Sequence, residues 1–202
     1  FPQDVVELMD WFREPVPDQA VVATPGAGEK VEFWILGSST FGAQLAAALG
    51  LPYAFASHFA PAQMVQALAL YRERFRPSER LAKPHAMLGV HVVAAETDAE
   101  ARFLFSSHQQ ALLNRRTGRP GKLPPPVEGF IERLDPHARA VIEASLGIVV
   151  VGGPETVRAG LAAFAARTGA DELIVTAQIF DHAARKRSYA LLAEVAAEVM
   201  AT

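Results

Sequence analysis

The sequence has no cysteine among its 202 residues, which excludes disulfide bonds and thiolate chemistry. It also lacks an apolar run of about eighteen residues, and its start shows no basic segment followed by an apolar one. We therefore expect neither a membrane span nor a secretion signal, and these absences favour a cytoplasmic location. The chain begins at Phe1 without an initiator methionine, so we expect it to be part of a longer protein.

A strong excess of charge of either sign is missing as well. The formal net charge is -3 and the isoelectric point is about 6.1, which argues against nucleic acid or an anionic membrane as the main partner. Half of the residues are hydrophobic and a fifth are charged, so the chain can bury a core. Its length suits one large domain or two small ones.

One strand–turn–helix stretch near the start of the chain dominates the pattern. An apolar run at residues 31–36 predicts a buried strand, and an Ala/Leu-rich run at 43–49 followed by Gly50 predicts a helix with a glycine C-cap. The turn between them consists of Gly37, Ser38, Ser39, Thr40, Phe41 and Gly42. Such a turn directs backbone N–H groups and the positive end of the helix dipole at one point, which suits a phosphate. A simple helix cap at Ser39 or Thr40 is the alternative.

Strands and helices alternate along the rest of the chain. Strands are predicted at 51–56, 86–93 and 171–176, with a weaker candidate at 20–23, and helices at 4–12, 61–74, 136–146, 155–167 and 183–200; residues 148–151 are a short apolar run. Thr97 and Glu100 have the spacing of a capping box at the start of another helix. Four strong units in this order predict an α/β fold with a parallel sheet. Periodicity alone leaves an open sheet and a barrel wall as alternatives.

A long segment rich in proline and glycine interrupts this alternation at residues 115–129. It is predicted to be irregular, either as a functional lid or as a disordered loop. Its four cations are Arg115, Arg116, Arg119 and Lys122. They could meet an anionic ligand or simply be solvated.

Several common catalytic patterns are incomplete. The turn after the first strand lacks the final glycine of a nucleophile elbow, and no Walker lysine follows a glycine-rich loop. The adjacent carboxylates of Asp171 and Glu172 point to opposite faces of a strand, which is wrong for an acid/base pair. The histidines His85, His108, His137 and His182 lack the spacing of metal ligands.

Six segments carry a resemblance to a known family. They are FWILGSS at 33–39, AQLAA at 43–47, GLPYAFASHF at 50–59, VVAAETDAEA at 92–101, VGGPETV at 151–157 and DELIV at 171–175. Together they closely resemble the bacterial-luciferase-like flavin-dependent monooxygenases, in the same order and over almost the whole chain. The resemblance implies an α/β TIM (β/α)8 barrel of which this chain supplies only the second half, about strands 5 to 8. Residues 102–147 would then form an insertion that contains the Pro/Gly-rich loop.

Half a barrel leaves two unpaired strand edges and an open apolar interior. We expect residues outside this sequence to supply the missing half; pairing with a second copy is the alternative. His91, inside a predicted strand, would either face the barrel interior or belong to the packed core.

The resemblance also implies a cofactor site at the carboxyl ends of the strands. The turn Gly37, Ser38, Ser39, Thr40, Phe41, Gly42 would bind the phosphate of FMN. Ser57 and His58 would lie beside the isoalloxazine ring, with His58 as a proton carrier or as a hydrogen-bonded structural residue. Many relatives have a hydroxyl residue in place of Gly42, which weakens the expected phosphate contact. Residues 176–181 are a competing phosphate location.

The implied reaction uses reduced FMN, or a deazaflavin, together with O2 and a small organic substrate. A separate flavin reductase would supply the reduced cofactor, and the protein would be a homodimer. The alternative from a different class is a non-catalytic flavin-binding or structural luciferase-like subunit.

Overall fold

The computed structural model describes residues 1–199, with side chains described up to residue 196. Five strands are present: β1 (Ile35–Gly37), β2 (Tyr53–Phe55), β3 (Ala86–Ala94), β4 (Val149–Gly152) and β5 (Glu172–Thr176). The helices are α1 (Pro2–Trp11), α2 (Thr40–Leu49), α3 (Met64–Arg74), α4 (Asp98–Arg116), α5 (Pro136–Ser145), α6 (Pro154–Thr168) and α7 (His182–Val199), with 3-10 turns at Pro61–Gln63 and Ile131–Arg133. The predicted end of the last helix at Met200 lies outside the described residues.

All strand pairs are parallel, which confirms the predicted α/β class. The nine-residue β3 is the central strand and pairs with β2, β4 and β5. The backbone groups of odd-numbered residues along β3 point to one edge of the strand. The carbonyl of His85, just before β3, accepts from the N–H of Tyr53, and the N–H of His91 donates to the carbonyl of Ile148. β2 and β4 therefore lie end to end along that edge, and β5 occupies the other.

One face of the sheet is covered by helices. Its inward side chains form the main core with residues from α2, α3, α6 and α7. From the strands this core takes Ile35, Tyr53, Phe55, Ala86, Leu88, Val90, Val92 and Ala94, with Leu173 and Val175 partly buried against it. Alternate residues of each strand point the same way, so this face is uniformly apolar.

The opposite face is open at β1 and at the start of β5. Leu36 is 69% exposed and Ile174 is 51% exposed, although both are large aliphatic side chains within strands. At the carboxyl end of β3, a second cluster of Val93, Phe105 and Ile179 buries this face beneath α4. The sheet therefore has one fully covered face and one that is covered only near α4.

Several predicted boundaries were wrong. The structure has no strand at 20–23, where Ala23 instead accepts a hydrogen bond of 2.7 Å from the N–H of Ala27 in a turn. The first strand begins at Ile35 instead of residue 31, because its partner β2 is only three residues long and its pairing begins at Pro52. Helix α1 begins at Pro2 instead of after Asp4.

Other details follow the sequence more closely. Gly50 ends α2 in the left-handed conformation with φ 61°, as predicted, and a Cβ there would lie 2.5 Å from the Arg76 carbonyl oxygen. The apolar run at 148–151 largely coincides with β4. The prediction of four strand–helix units did not include this strand. Arg115 and Arg116 belong to the last turn of α4, so only the later part of the predicted loop is irregular. Among the described helices, none combines the length and apolarity needed to cross a bilayer.

Candidate functional site

The predicted phosphate turn lies at the carboxyl edge of the sheet. Gly37 ends β1 in register with Phe55, the last residue of β2, and α2 begins three residues later at Thr40. Ser38 and Ser39 connect the two and are exposed. The structure therefore brings all six predicted residues of this turn to one end of a parallel sheet, where this kind of fold binds ligands.

The first turn of α2 has backbone donors to spare. Ser39 is the N-cap residue in an extended conformation, yet its side chain makes no capping hydrogen bond. The N–H of Thr40 donates to Oε1 of Gln63 at 3.3 Å. Because the first N–H groups of a helix have no partner within the helix, those of Phe41 and Gly42 remain as donors for an anion. The serine hydroxyls are free to add to them.

Gly42 packs closely against Tyr53. A Cβ at this position would lie 3.3 Å from Cε2 of Tyr53 and 3.6 Å from Cα of Gly37. The hydroxyl of Tyr53 donates to the carbonyl of Ser39 at 3.0 Å, and burial raises the pKa of this hydroxyl, so it stays protonated. Tyr53 thus holds the Ser39 carbonyl in place, and a side chain at residue 42 would require the Tyr53 ring to shift by a few tenths of an ångström.

Ser57 and His58 follow β2 and differ in environment. Ser57 is fully buried, and its hydroxyl donates to the carbonyl of Gly89 at 2.7 Å, so it anchors β2 to β3. His58 is half-buried. A Cβ at Gly89 would lie only 2.2 Å from His58 Nδ1, which means that the imidazole rests directly on the backbone of β3. The ring thereby reaches the open face of the sheet.

Two further histidines lie on the same face. His91 is 2% exposed, and its Nδ1 is 3.3 Å from Oγ1 of Thr176 on β5. The ring of His108, from α4, stacks on that of His91 with centroids 4.4 Å apart. Nδ1 of His108 is 2.8 Å from Oε1 of Gln178; since that oxygen can only accept, Nδ1 carries the proton.

All three imidazoles are held in the neutral form near neutral pH. Burial lowers the pKa of His58 and of His108. Burial, followed by repulsion from His108 and His58, lowers the pKa of His91 to about 3. A neutral imidazole offers one donor and one acceptor. The cluster is therefore suited to polar hydrogen bonding and to proton transfer, and not to binding an anion by charge.

The competing phosphate location at residues 176–181 is committed to internal contacts. Thr176 and Gln178 contact His91 and His108 as described. Asp181 caps α7, since its Oδ1 accepts from the N–H of Ala184 at 2.7 Å. These side chains stabilise the fold, and a carboxylate at the helix start repels a phosphate.

Cavities elsewhere do not coincide with this edge. A cavity of about 930 Å³ is lined by Trp34, Pro52, His85 and Glu172, at the amino ends of the strands. A smaller one of about 250 Å³ lies between α4 and residues 127–132. Within the part of the chain that the structure describes, no three metal-ligating side chains come together.

Comparison with known proteins decides the family. The sequence profile described as "Luciferase-like monooxygenase" matches residues 3–172. The chain belongs to the luciferase-like monooxygenase family. A protein of this description from Escherichia coli (strain K12) is 47% identical over 200 residues, which are 99% of this chain and 60% of that protein. The chain thus spans about three fifths of the length of the curated relatives it matches.

Solved structures show the same fold. The crystal structure of apo-MsnO8 superposes with a TM-score of 0.80 at 31% identity, over 96% of this chain and 59% of that one. The oxygenating constituent of 3,6-diketocamphane monooxygenase from Pseudomonas putida, a complex with FMN, gives a TM-score of 0.59 at 20% identity. That match covers 94% of this chain and 60% of the other, and at this identity the likeness concerns the fold.

The histidine cluster was the part of the site that sequence reasoning missed. His108 lies on the buried face of α4 with Ala101, Leu104, Phe105 and Leu112. Their spacing of three and four residues is a signal that could have placed His108 inside. Its neighbour His91 comes from β3 and Gln178 from the segment after β5, and no local pattern brings these three together.

Proposed function

We propose that the protein is a flavin-dependent monooxygenase that binds the phosphate of FMN at the start of α2. The observation that carries this proposal is the uncapped helix start, where the N–H groups of Phe41 and Gly42 lie beside the exposed hydroxyls of Ser38 and Ser39. Helix starts of this kind bind phosphate through backbone donors and the helix dipole. Family membership supports the same assignment.

The residues present fit the phosphate end of the cofactor. Gly37 and Gly42 face each other across the turn, since a Cβ on either would be in van der Waals contact with the Cα of the other. Tyr53 holds this turn through the Ser39 carbonyl, so the donors are fixed in place before a ligand arrives. Preorganised donors bind an anion without the cost of ordering them first.

We further propose that the complete fold is a TIM barrel and that this chain forms its C-terminal part. In the described residues, β1 pairs only with β2 and β5 only with β3, so each has an edge without a strand partner. Leu36 and Ile174 are exposed on the face that would line the barrel interior. Residues beyond this sequence would complete the sheet and cover them, in keeping with the greater length of the relatives.

The reduced flavin, when bound, supplies the chemistry with O2, and the protein binds and orients it. His58 is the proposed catalytic residue of this chain. It follows β2 at the same edge of the sheet as the Ser39 turn, and its half-buried ring is neutral, so it can accept or return a proton near neutral pH.

FMN is proposed over a deazaflavin because a protein with the same fold, the oxygenating constituent of 3,6-diketocamphane monooxygenase, was solved in complex with FMN. The remaining partners are proposed with it: a small organic substrate, O2, a separate flavin reductase and a second copy of the protein in a homodimer.

The decisive experiment compares FMN with riboflavin, which lacks the phosphate. Titration calorimetry of the complete protein with each reduced flavin under anaerobic conditions should show FMN binding at least about 10-fold tighter, as expected for about 1.4 kcal/mol from charge-assisted hydrogen bonds. Equal affinities would refute the phosphate site at α2.

A second arm tests the activity. With a flavin reductase, NADH and O2 present, adding the protein and a small organic substrate should lower the H2O2 formed per NADH oxidised relative to the reductase alone, and an oxygenated product should appear by mass spectrometry. FMN binding with no product over a broad substrate panel would instead favour the non-catalytic flavin-binding subunit.

A further inference from the structure

Two ring nitrogens in the histidine cluster are buried without a hydrogen-bond partner. They are Nδ1 of His58 and Nε2 of His91. A buried polar atom left unpaired costs about 1–3 kcal/mol, and paired groups are the rule in protein interiors. Two such atoms in neighbouring rings therefore indicate a shared partner.

The two rings lie over the same face of β3. Nδ1 of His91 faces Thr176 on β5, so Nε2, on the far side of the ring, points to the opposite edge of β3. That edge carries β2 and the turn with His58. Nδ1 of His58 lies over Gly89, two residues before His91 on the same face of the strand. The two atoms make no direct hydrogen bond with each other, so a third group is needed to pair both.

We propose that His91 is a positioning residue for His58, and that the two rings share one water molecule held between His58 Nδ1 and His91 Nε2. A water molecule can accept from the protonated nitrogen of one ring while it donates to the bare nitrogen of the other, so it links two neutral imidazoles in opposite protonation states. Through this link the tautomer of His91 sets that of His58. The nitrogen that His58 presents to the open face, Nε2, then has a defined protonation state.

The groups around His58 and His91 keep both imidazoles neutral. His108 stacks on His91. Burial lowers the pKa of His108, the hydrogen bond with Gln178 raises it, and the positive charge of Arg115 lowers it. On β5 the same face carries Thr176, which is neutral, and Glu172, whose carboxylate binds His85 at 2.7 Å. The described residues thus place no free carboxylate beside the shared water to draw a proton onto His91.

This inference rests on the proposed function, in which His58 moves a proton, but its test needs no flavin. The experiment records nitrogen-15 NMR shifts of the histidine rings in the complete protein, as a function of pH. The shifts distinguish the two neutral tautomers of His58 and report its pKa. We expect one dominant tautomer in the natural protein.

The informative variant is His91→Phe, which keeps an aromatic ring against His108 but removes both nitrogens. We expect His58 to become a mixture of tautomers and its pKa to fall further, because its charged form loses the water at Nδ1. His91→Gln retains groups that can hold the water and should restore the single tautomer. His137→Phe, at an exposed position of α5, is the matched control and should change nothing at His58.

An unchanged His58 spectrum in folded His91→Phe would overturn the inference, as would a failure of His91→Gln to restore it. If His91→Phe does not fold, Thr176→Val decides, since it leaves the His91 ring in place and removes the contact at Nδ1: a changed tautomer of His58 supports the link, and an unchanged one refutes it. Adding FMN afterwards separates the two proposals, because absence of FMN binding refutes the proposed function and leaves the NMR result intact.

Discussion

Helices α2 and α4 both follow a parallel strand at the same end of the sheet, yet their first turns are built differently. At α4, Thr97 accepts a hydrogen bond of 3.2 Å from the N–H of Glu100, and Asp98 binds the N–H of Gly153 at 2.7 Å. At α2, the side chain of Ser39 makes no such bond, and no acidic residue lies in the first turn. One helix start is closed by its own side chains, and the other keeps its donors.

The difference separates a structural cap from a binding site. Both sequences offer a hydroxyl residue just before a helix, and a hydroxyl there normally caps the helix. What distinguishes Ser39 is that its carbonyl is held by Tyr53 while its hydroxyl is left free. Donors that the protein does not use itself are the ones that can meet a ligand. The predictions below test whether the two helix starts differ in this way.

The largest expected effect is on cofactor affinity. Ser39→Asp places a carboxylate against the phosphate, and two like charges a few ångströms apart cost several kcal/mol at a partly exposed site. We expect FMN affinity to fall at least about 100-fold in a calorimetric titration, with the circular dichroism spectrum unchanged.

The matched control is Thr97→Asp, because aspartate caps a helix as well as threonine does. It should leave FMN affinity as it is. Equal losses at the two positions would mean that general charge, and not a site at α2, governs binding.

Stability should depend on Thr97 more than on Ser39, which is the reverse of the order expected for FMN affinity. Thr97→Ala removes a formed cap and should lower the free energy of unfolding by about 1 kcal/mol. Ser39→Ala removes no capping bond and should change it by less than about 0.5 kcal/mol. Urea denaturation of both variants measures the contrast, and a larger loss for Ser39→Ala would show that this serine is the structural cap.

A smaller effect is expected from Gln63, whose side chain accepts the N–H of Thr40 at the start of α2. Gln63→Leu releases that donor for the phosphate. One added hydrogen bond contributes about 0.5–1 kcal/mol net, so FMN affinity should rise about 2- to 5-fold. Riboflavin binding serves as the control and should not change; an equal gain for riboflavin would place the effect away from the phosphate.

The smallest expected effect is on the pH dependence of stability, through Asp98 at the start of α4. Hydrogen bonds from Gly153 and then Thr156 lower the pKa of Asp98 below its ordinary 3.8. Because the pKa of Asp98 is lower in the folded protein, its carboxylate stabilises the fold above about pH 4. This stabilisation is lost as pH falls through the folded pKa. Asp98→Asn should therefore flatten the decline of stability in acid. Thermal unfolding between pH 5 and pH 3 measures it, and an unchanged slope would show that the carboxylate is not linked to folding.

Local sequence pattern predicted much of the fold because it reports local physics. The nine-residue strand β3, the Gly50 C-cap and the Thr97 cap are confirmed. The errors fall where length is set by a distant partner: the predicted strand from residue 31 shrinks to β1 because β2 offers only three residues to pair with. Strand β4 was not predicted as a unit, because its pairing with β3 is a long-range contact.

In the site, too, local sequence selected contiguous residues and did not indicate contacts between distant ones. The six residues of the Ser39 turn are contiguous, so a resemblance in sequence sufficed to select them, and their role in binding stays a prediction. The sequence did not indicate that Ser57 would be committed to Gly89. It also did not indicate that His91 would stack on His108, seventeen positions away on another element.

By itself the sequence determined the strand–helix alternation, the parallel class and the family, since each depends on periodicity, caps and motifs within short windows. Only the tertiary structure decided which polar groups are used internally and which are left over. The reason is that hydrogen-bond satisfaction depends on partners brought together by the sheet. Tyr53, Gln63 and Gly89 are ordinary residues in the chain, and their contacts leave Ser39 and His58 facing the open edge.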